Sequence, residues 1–274
     1  MQDVVLELRQ RGIRVGVVPT MGALHEGHLS LVRASRECCD RTIVTIFVNP
    51  TQFGPGEDFQ KYPRTLESDL EAIRGCGADI AFVPSHEEMY PSGFSTYVEP
   101  PSVGARWEGE CRPGHFRGVA TVVLKLFQAI PAHVALFGRK DYQQCRVIQE
   151  MVRDLNVPVE VRVCPTVRES DGLAMSSRNR YLDPRDRQRA LSLYRCLSTA
   201  MEAVAGGQRD GRLVVEAMHR TLRDGNVDRI DYAALVEPET LQPAGHLSRD
   251  VVAIVAAFVG TTRLIDNAAI HVPE

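Results

Sequence analysis

Two imidazoles three residues apart, His25 and His28, stand in the run Pro19-Thr20-Met21-Gly22-Ala23-Leu24-His25-Glu26-Gly27-His28. An apolar stretch, Val15-Gly16-Val17-Val18, precedes it, and Leu29-Ser30-Leu31-Val32-Arg33-Ala34 follows with helical spacing. The segment reads as strand, tight turn and helix start. Residues at i and i+3 share a helix face. Gly22 and Gly27 let backbone approach a ligand closely. The first turn of a helix offers N–H groups at the positive end of its dipole. These features fit a nucleotide triphosphate. Each imidazole can donate to a phosphate oxygen as negative charge builds there. The zinc-protease pattern HExxH does not fit, because His25-Glu26-Gly27-His28 has one residue too few between its histidines.

Three further groups bear chemistry. Lys140 and Asp141 open a helix, where a lysine is disfavoured by the positive dipole end unless an anion is expected nearby. Met175-Ser176-Ser177-Arg178 puts two hydroxyls and a guanidinium within four residues, a set that can grip phosphates, since the guanidinium donors form a planar fork. Gln52 and Gln144 can hold an organic acid bearing hydroxyls. Arg112 and His115 leave a long loop and can approach the same edge. Taken singly, each has an ordinary alternative: two surface histidines, a solvated Lys-Asp pair, a Ser-rich linker, a surface glutamine.

The elements that must position these residues alternate at βαβ spacing. A helix over Val4–Gln10 ends at Gly12. Strands are expected over Ile13–Val18, Thr42–Val48, Ile80–Val83, Val134–Phe137 and Val159–Val163. Helices are expected from the His-bearing turn to about Cys39, then over Leu66–Cys76, Gly118–Ile130 and Tyr142–Leu155. Residues 84–114 read as one long irregular, functional region, and 54–65 as a mobile lid. The fold class is α/β: a Rossmann-like parallel sheet domain, residues 1–165, followed by a smaller α+β domain, 166–274. Ligands in such sheets sit at the carboxyl ends of the strands, where His25, His28, Gln52, Lys140 and Asp141 all fall. In the second domain the MSSR loop precedes helices over Pro184–Val204, capped by Asp183, and Leu213–Leu222. Strand-like runs follow over Ile230–Val236, Val251–Val259 and Thr262–Ile265.

The bulk numbers narrow the class. The chain has 274 residues, 44% hydrophobic and 24% charged, with net charge −3, an ordinary globular composition. That charge balance does not favour nucleic-acid binding. No apolar run approaches the ~18–20 residues that span a bilayer, and the N-terminus does not read as a signal peptide. Seven scattered cysteines without a CxxC pair indicate a reducing, cytoplasmic setting.

The stretches PTMGALHEGHLSLV, IFVNPTQF, KYPRT, RPGHFRGVATVVLKLF, FGRKDYQQ, PTVRESDGLAMSSRN and GTTRLIDN together resemble the pantoate–β-alanine ligases, in order and over nearly the whole chain. HxGH alone resembles the wider nucleotidyltransferase superfamily. The resemblance implies an ATP-dependent ligase. The carboxylate of (R)-pantoate attacks the α-phosphate of ATP, and β-alanine then displaces AMP from pantoyl-adenylate. It places Met21, Gly22, Ala23, Leu24, His25, Glu26, Gly27 and His28 on ATP, together with Gly138, Arg139, Lys140 and Asp141. Val167, near the adenine, and Met175, Ser176, Ser177 and Arg178 complete that set. His25, His28, Lys140 and Arg178 are the implied catalytic residues, and Gln52 and Gln144 the implied contacts to pantoate and β-alanine. Mg²⁺ is expected with the triphosphate, held mainly by phosphate oxygens, and the family is usually a homodimer. Two departures stand out: Arg139 replaces a residue that is commonly acidic or Gln, and the segment before Val4 is shorter than usual, leaving one sheet edge less covered.

Overall fold

The computed structural model describes residues 1–273. They form two compact units, Met1–Arg139 with Gln143–Pro165, and Lys140–Tyr142 with the chain from Thr166 onward. The three residues after Arg139 thus group with the later half.

The first unit carries α1 (Gln2–Gln10), β1 (Val15–Thr20), α2 (Glu26–Cys38), β2 (Arg41–Ile46), α3 (Leu66–Gly75) and β3 (Ile80–Phe82). The single-turn helices α4 (His86–Met89) and α5 (Glu108–Cys111) follow, then α6 (His115–Ala129), β4 (Val134–Gly138), α7 (Tyr142–Asp154) and β5 (Glu160–Cys164). The strands form one parallel sheet in the order β3-β2-β1-β4-β5. Its order reverses between β1 and β4, the switch point where α/β sheets open a crevice. Alternate strand residues Val18, Val44 and Leu136 point to one side and meet Leu31 and Val32 of α2 and Ile73 of α3. Burying each such side chain contributes ~1.5–3 kcal/mol, so the helix spacing of α2 fixes how its first turn stands over the end of β1.

The second unit holds α8 (Pro184–Ala205), α9 (Gly211–Asp224) and an antiparallel sheet of β6 (Arg229–Val236), β7 (Val251–Val259) and β8 (Thr262–Ile270). Asp183 caps α8 by accepting the Asp186 N–H at 2.7 Å. Leu193 and Leu197 of α8 and Met218 and Leu222 of α9 pack with Leu235 and Val255 of the sheet.

The differences from the sequence expectation have local causes. β1 runs on through Pro19 and Thr20, which pair with Thr45 and Ile46 of β2. Its pairing to β4 covers only Gly16 and Val17, so the missing Pro19 N–H falls beyond that ladder, a tolerated place for a strand proline. β2 stops at Ile46, where the Phe47 N–H turns back to Thr20 O at 3.0 Å. Residues 84–114 are not one irregular loop; they contain α4, closed by a Ser85–Glu88 capping box, and α5. α6 starts at His115, three residues before the expected position, with Gly114 at φ +84° as its cap. β8 runs five residues past Ile265, to Ile270. No helix among the described residues is long and apolar enough to cross a membrane, and all seven cysteines are free thiols.

Candidate active site

The turn after β1 is held from below. Thr20 Oγ1 donates to Thr45 O at 2.6 Å and accepts the Gly22 N–H at 3.2 Å. Gly22 and Ala23 both take positive φ, +79° and +50°. For Gly22 that conformation is easily reached, and a Cβ there would lie 3.0 Å from Asp69 Oδ2. For Ala23 it is strained by ~1–2 kcal/mol. Asp69 of α3 offsets the strain. Its carboxylate, 3% exposed, accepts the Ala23 and Leu24 N–H groups at 2.9 and 2.8 Å, and Thr65 Oγ1 at 3.2 Å. Hydrogen bonds to a charged group contribute ~1.5–3 kcal/mol each, enough to hold an alanine in this region.

That turn delivers His25 as the N-cap of α2. His25 Nδ1 accepts the Gly27 N–H at 3.1 Å, and His28 Nδ1 accepts the His25 N–H at 3.4 Å. The two imidazoles thus replace the usual Ser and Glu of a capping box. Their rings lie 4.1 Å apart, centre to centre. With Nδ1 an acceptor in both, each neutral ring carries its proton on Nε2. The cap therefore fixes the tautomer that can donate to a phosphate oxygen.

Gln52 ends the short helical turn Pro50–Gln52 after β2 and is buried, 9% exposed. Tyr90 Oη donates to Asn49 Oδ1 at 2.8 Å, which turns Asn49 Nδ2 toward Gln52 Oε1 at 3.2 Å. Gln52 Nε2 then faces Met21 Sδ at 2.9 Å, so two residues expected at the site from different loops are in contact. α6 reaches this turn through Gly118, whose hypothetical Cβ would lie 2.2 Å from Thr51 O. Only glycine permits that approach. The Gln52 carbonyl accepts from His115 Nδ1 at 2.8 Å and Arg112 Nη2 at 3.3 Å. Arg112 also grips both oxygens of Glu57 at 2.7 Å and donates Nη1 to His115 Nε2 at 3.0 Å. Burial of Glu57 alone would raise its pKa, but the bonds and charge of Arg112 outweigh this and hold it at about 2. Burial and the Arg112 charge push His115 down to about 4. His115 is a neutral donor at neutral pH.

Gln144 and its neighbour diverge on α7. Gln143 is buried and committed to structure: it donates to Val103 O at 2.7 Å and Arg106 O at 2.8 Å, and accepts from Glu108 N at 3.1 Å. Gln144 stays half-buried. Gly138 ends β4, and Arg139 beyond it is exposed.

In the second unit, Lys140 is partly covered, with Nζ 3.5 Å from Asp141 Oδ1. The segment is tied down by two bonds: Asn267 Nδ2 to Lys140 O, and Tyr142 Oη to Pro238 O, each 2.8 Å. Residues 167–175 form a hairpin, bridged between Arg168 and Ala174. Met175 N donates to Val167 O at 3.0 Å and Glu169 N to Leu173 O at 2.8 Å, which brings Val167 beside Met175. Asn179 Nδ2 holds the hairpin through Ala174 O and Glu169 Oε1. Arg168 clamps it to β8 through a bidentate pair with Asp266 at 2.6 and 3.0 Å. Ser176 Oγ accepts the Arg178 N–H at 3.3 Å and caps the turn Ser177–Tyr181. Among the described residues no group of three His, Cys, Asp or Glu is placed to cage a metal ion.

Sequence reasoning missed Asp69, Asn49, Asn267 and Asp266. The motif that carries the last two, GTTRLIDN, was visible only as a likeness.

A parallel sheet of this order, with HxGH opening the first crossover helix, is consistent with the nucleotidyltransferase superfamily. The chain belongs to the pantoate–β-alanine ligase family, whose profile matches residues 1–269. It is 51% identical to a pantothenate synthetase of Moorella thermoacetica over 273 residues, covering 100% of this chain and 96% of the relative. The corresponding enzyme of Rubrobacter xylanophilus is 54% identical over 270 residues, with 96% and 93% covered. A crystal structure of pantothenate synthetase from Thermus thermophilus superposes with TM-score 0.91 at 48% identity, covering 96% of each chain. The Francisella tularensis pantoate–β-alanine ligase, solved with β-γ ATP and β-alanine, gives 0.81 at 34%, covering 97% of this chain and 93% of that one.

Proposed function

We propose that this protein condenses (R)-pantoate with β-alanine to pantothenate at the expense of ATP. A carboxylate oxygen of pantoate bonds to the α-phosphorus and the bond to pyrophosphate breaks. The β-alanine nitrogen then bonds to the acyl carbon of pantoyl-adenylate, AMP departs, and the amine loses its proton. Adenylation replaces an oxide leaving group with AMP, which lets an amine react at neutral pH.

The observation that carries this reading is the paired-imidazole cap of α2. It presets two Nε2–H donors where charge accumulates on the α-phosphate, so little reorganisation is needed at the reacting atoms. Met21 to His28 line the nucleotide, with Gly138 to Asp141, Val167 and Met175 to Arg178. Lys140 and Arg178 offset triphosphate charge. Gln52 and Gln144 hold pantoate, and Gln52 also meets β-alanine. Mg²⁺ rides on the phosphate oxygens and supplies further charge. Residues 1–165 serve the nucleotide and pantoate, and 166–274 supply the MSSR turn. The working protein is a cytoplasmic homodimer.

AMP release tests this reading. With ATP and pantoate, about one equivalent of AMP per site should appear on acid quench without β-alanine, and continuous AMP release should require it. Continuous release that ignores β-alanine would refute it.

A further inference from the structure

The stretch Arg112-Pro113-Gly114-His115 has no part in the chemistry above, yet it is among the most tightly bonded places in the first unit. Its side chains converge on one atom, the main-chain oxygen of Gln52, which receives His115 Nδ1 at 2.8 Å and Arg112 Nη2 at 3.3 Å. The same guanidinium is fixed by Glu57, at 2.7 Å to each oxygen, and lies 3.6 Å from Glu108. Arg112 is 12% exposed at its side chain and Glu57 25%. His115 is 8% exposed. Buried charge of this kind survives only when every member is satisfied. Each bond here has a defined direction. Arg112 can only donate, so His115 Nε2 accepts and His115 Nδ1 donates. Glu57 lies within 54–65, the segment that follows Gln52, so the pair also closes that segment back onto the turn carrying Gln52.

We infer that Arg112, His115 and Glu57 are positioning residues for Gln52: the ion pair aims the imidazole, and the imidazole fixes the Gln52 backbone so that its amide meets pantoate. This rests on the proposed pantoate contact of Gln52. None of the three touches substrate. Their loss acts on the organic acid and leaves ATP recognition by the α2 cap in place.

Pyrophosphate–ATP exchange, run with pantoate varied at saturating ATP and then the reverse, separates the two substrates. The two halves of the imidazole can be tested apart. His115→Asn keeps a donor at the Nδ1 position, whereas His115→Gln keeps an acceptor at the Nε2 position and loses the donor to Gln52. Loss of one such bond corresponds to roughly a ten-fold change. His115→Gln should raise KM for pantoate by about that factor with KM for ATP unchanged, and His115→Asn should raise it by no more than about three-fold. Glu57→Gln lies on a more exposed segment and keeps the test alive if the buried variants fold poorly; it should raise KM for pantoate in the same direction. Equal KM values for His115→Asn and His115→Gln, or an equal rise in KM for ATP, would overturn the positioning role. A wild-type exchange that does not need pantoate would instead overturn the functional reading beneath it.

Discussion

Removing the titratable group from the Gln52 network should change how stability depends on pH. His115 ordinarily titrates near 6.5, and in the folded chain burial and Arg112 bring it to about 4. Between those values the unfolded chain binds the proton and the folded chain does not. Stability therefore falls as pH drops below 6.5, and this loss is complete near pH 4. Protonation would also put an N–H on Nε2 against the Arg112 Nη1, now a donor at 3.0 Å. Glu57 works in a lower window. Its pKa falls from 4.5 to about 2, so its contribution is intact above pH 4.5 and lost as pH falls toward 2. The interval from pH 6.5 to 4.5 thus isolates His115 within this network, and the linkage relation gives about 2 kcal/mol of lost stability across it. His115→Asn abolishes that loss while keeping the donor to Gln52. The assay is urea unfolding at both ends of the interval, followed by the fluorescence of Trp107. It is the only tryptophan and adjoins Glu108, itself bonded to Gln143 in the same unit. The wild type should lose about 2 kcal/mol more than the variant between the two pH values. Parallel losses in the two proteins would refute a depressed, neutral His115.

Other consequences follow from the same contacts. Asp69→Ala leaves Ala23 strained and two buried N–H groups without their acceptor, and should lower stability by about 3 kcal/mol or more by denaturant midpoint. Gly118→Ala forces a methyl to 2.2 Å from Thr51 O; displacement of the Gln52 turn should destabilise by about 1–3 kcal/mol and raise KM for pantoate. His28→Ala should reduce turnover by ~10²-fold or more through lost transition-state donation, and near-normal turnover would remove that role. Lys140→Ala should behave likewise, while Asn267→Ala should lower kcat less than Lys140→Ala, because it releases only the Lys140 backbone.

The parallel sheet was legible because its strands are short apolar runs separated by helical periodicity, and the HxGH turn because glycines and histidines at a strand end have few structural uses. Burial of polar side chains was not legible. Asp69 sits in α3 at a position that reads as one more acidic residue of a solvated helix face, and only its meeting with the turn 46 positions earlier gives it a role. Asp266 and Asn267 break the apolar alternation of β8, so the strand pattern ends at Ile265. Within the fold Asp266 pairs with Arg168, and Asn267 Nδ2 donates to the Lys140 carbonyl. The RPGHFR stretch before Gly118 reads as loop because Pro113 and Gly114 are poor helix formers. Gly114 instead supplies the left-handed cap that lets α6 begin at His115, and Gly118 within the helix gives the close approach to Thr51. Arg112 and His115 were visible as residues leaving a loop, but their target, a backbone oxygen, has no sequence signal at all.

Activation of the acid at the α2 cap is open to a direct check, isotope exchange between labelled pyrophosphate and ATP. Exchange should require pantoate, proceed without β-alanine, and fall at least about a hundred-fold in His28→Ala. Exchange without pantoate, or exchange that appears only when β-alanine is added, would contradict an adenylate formed at this site.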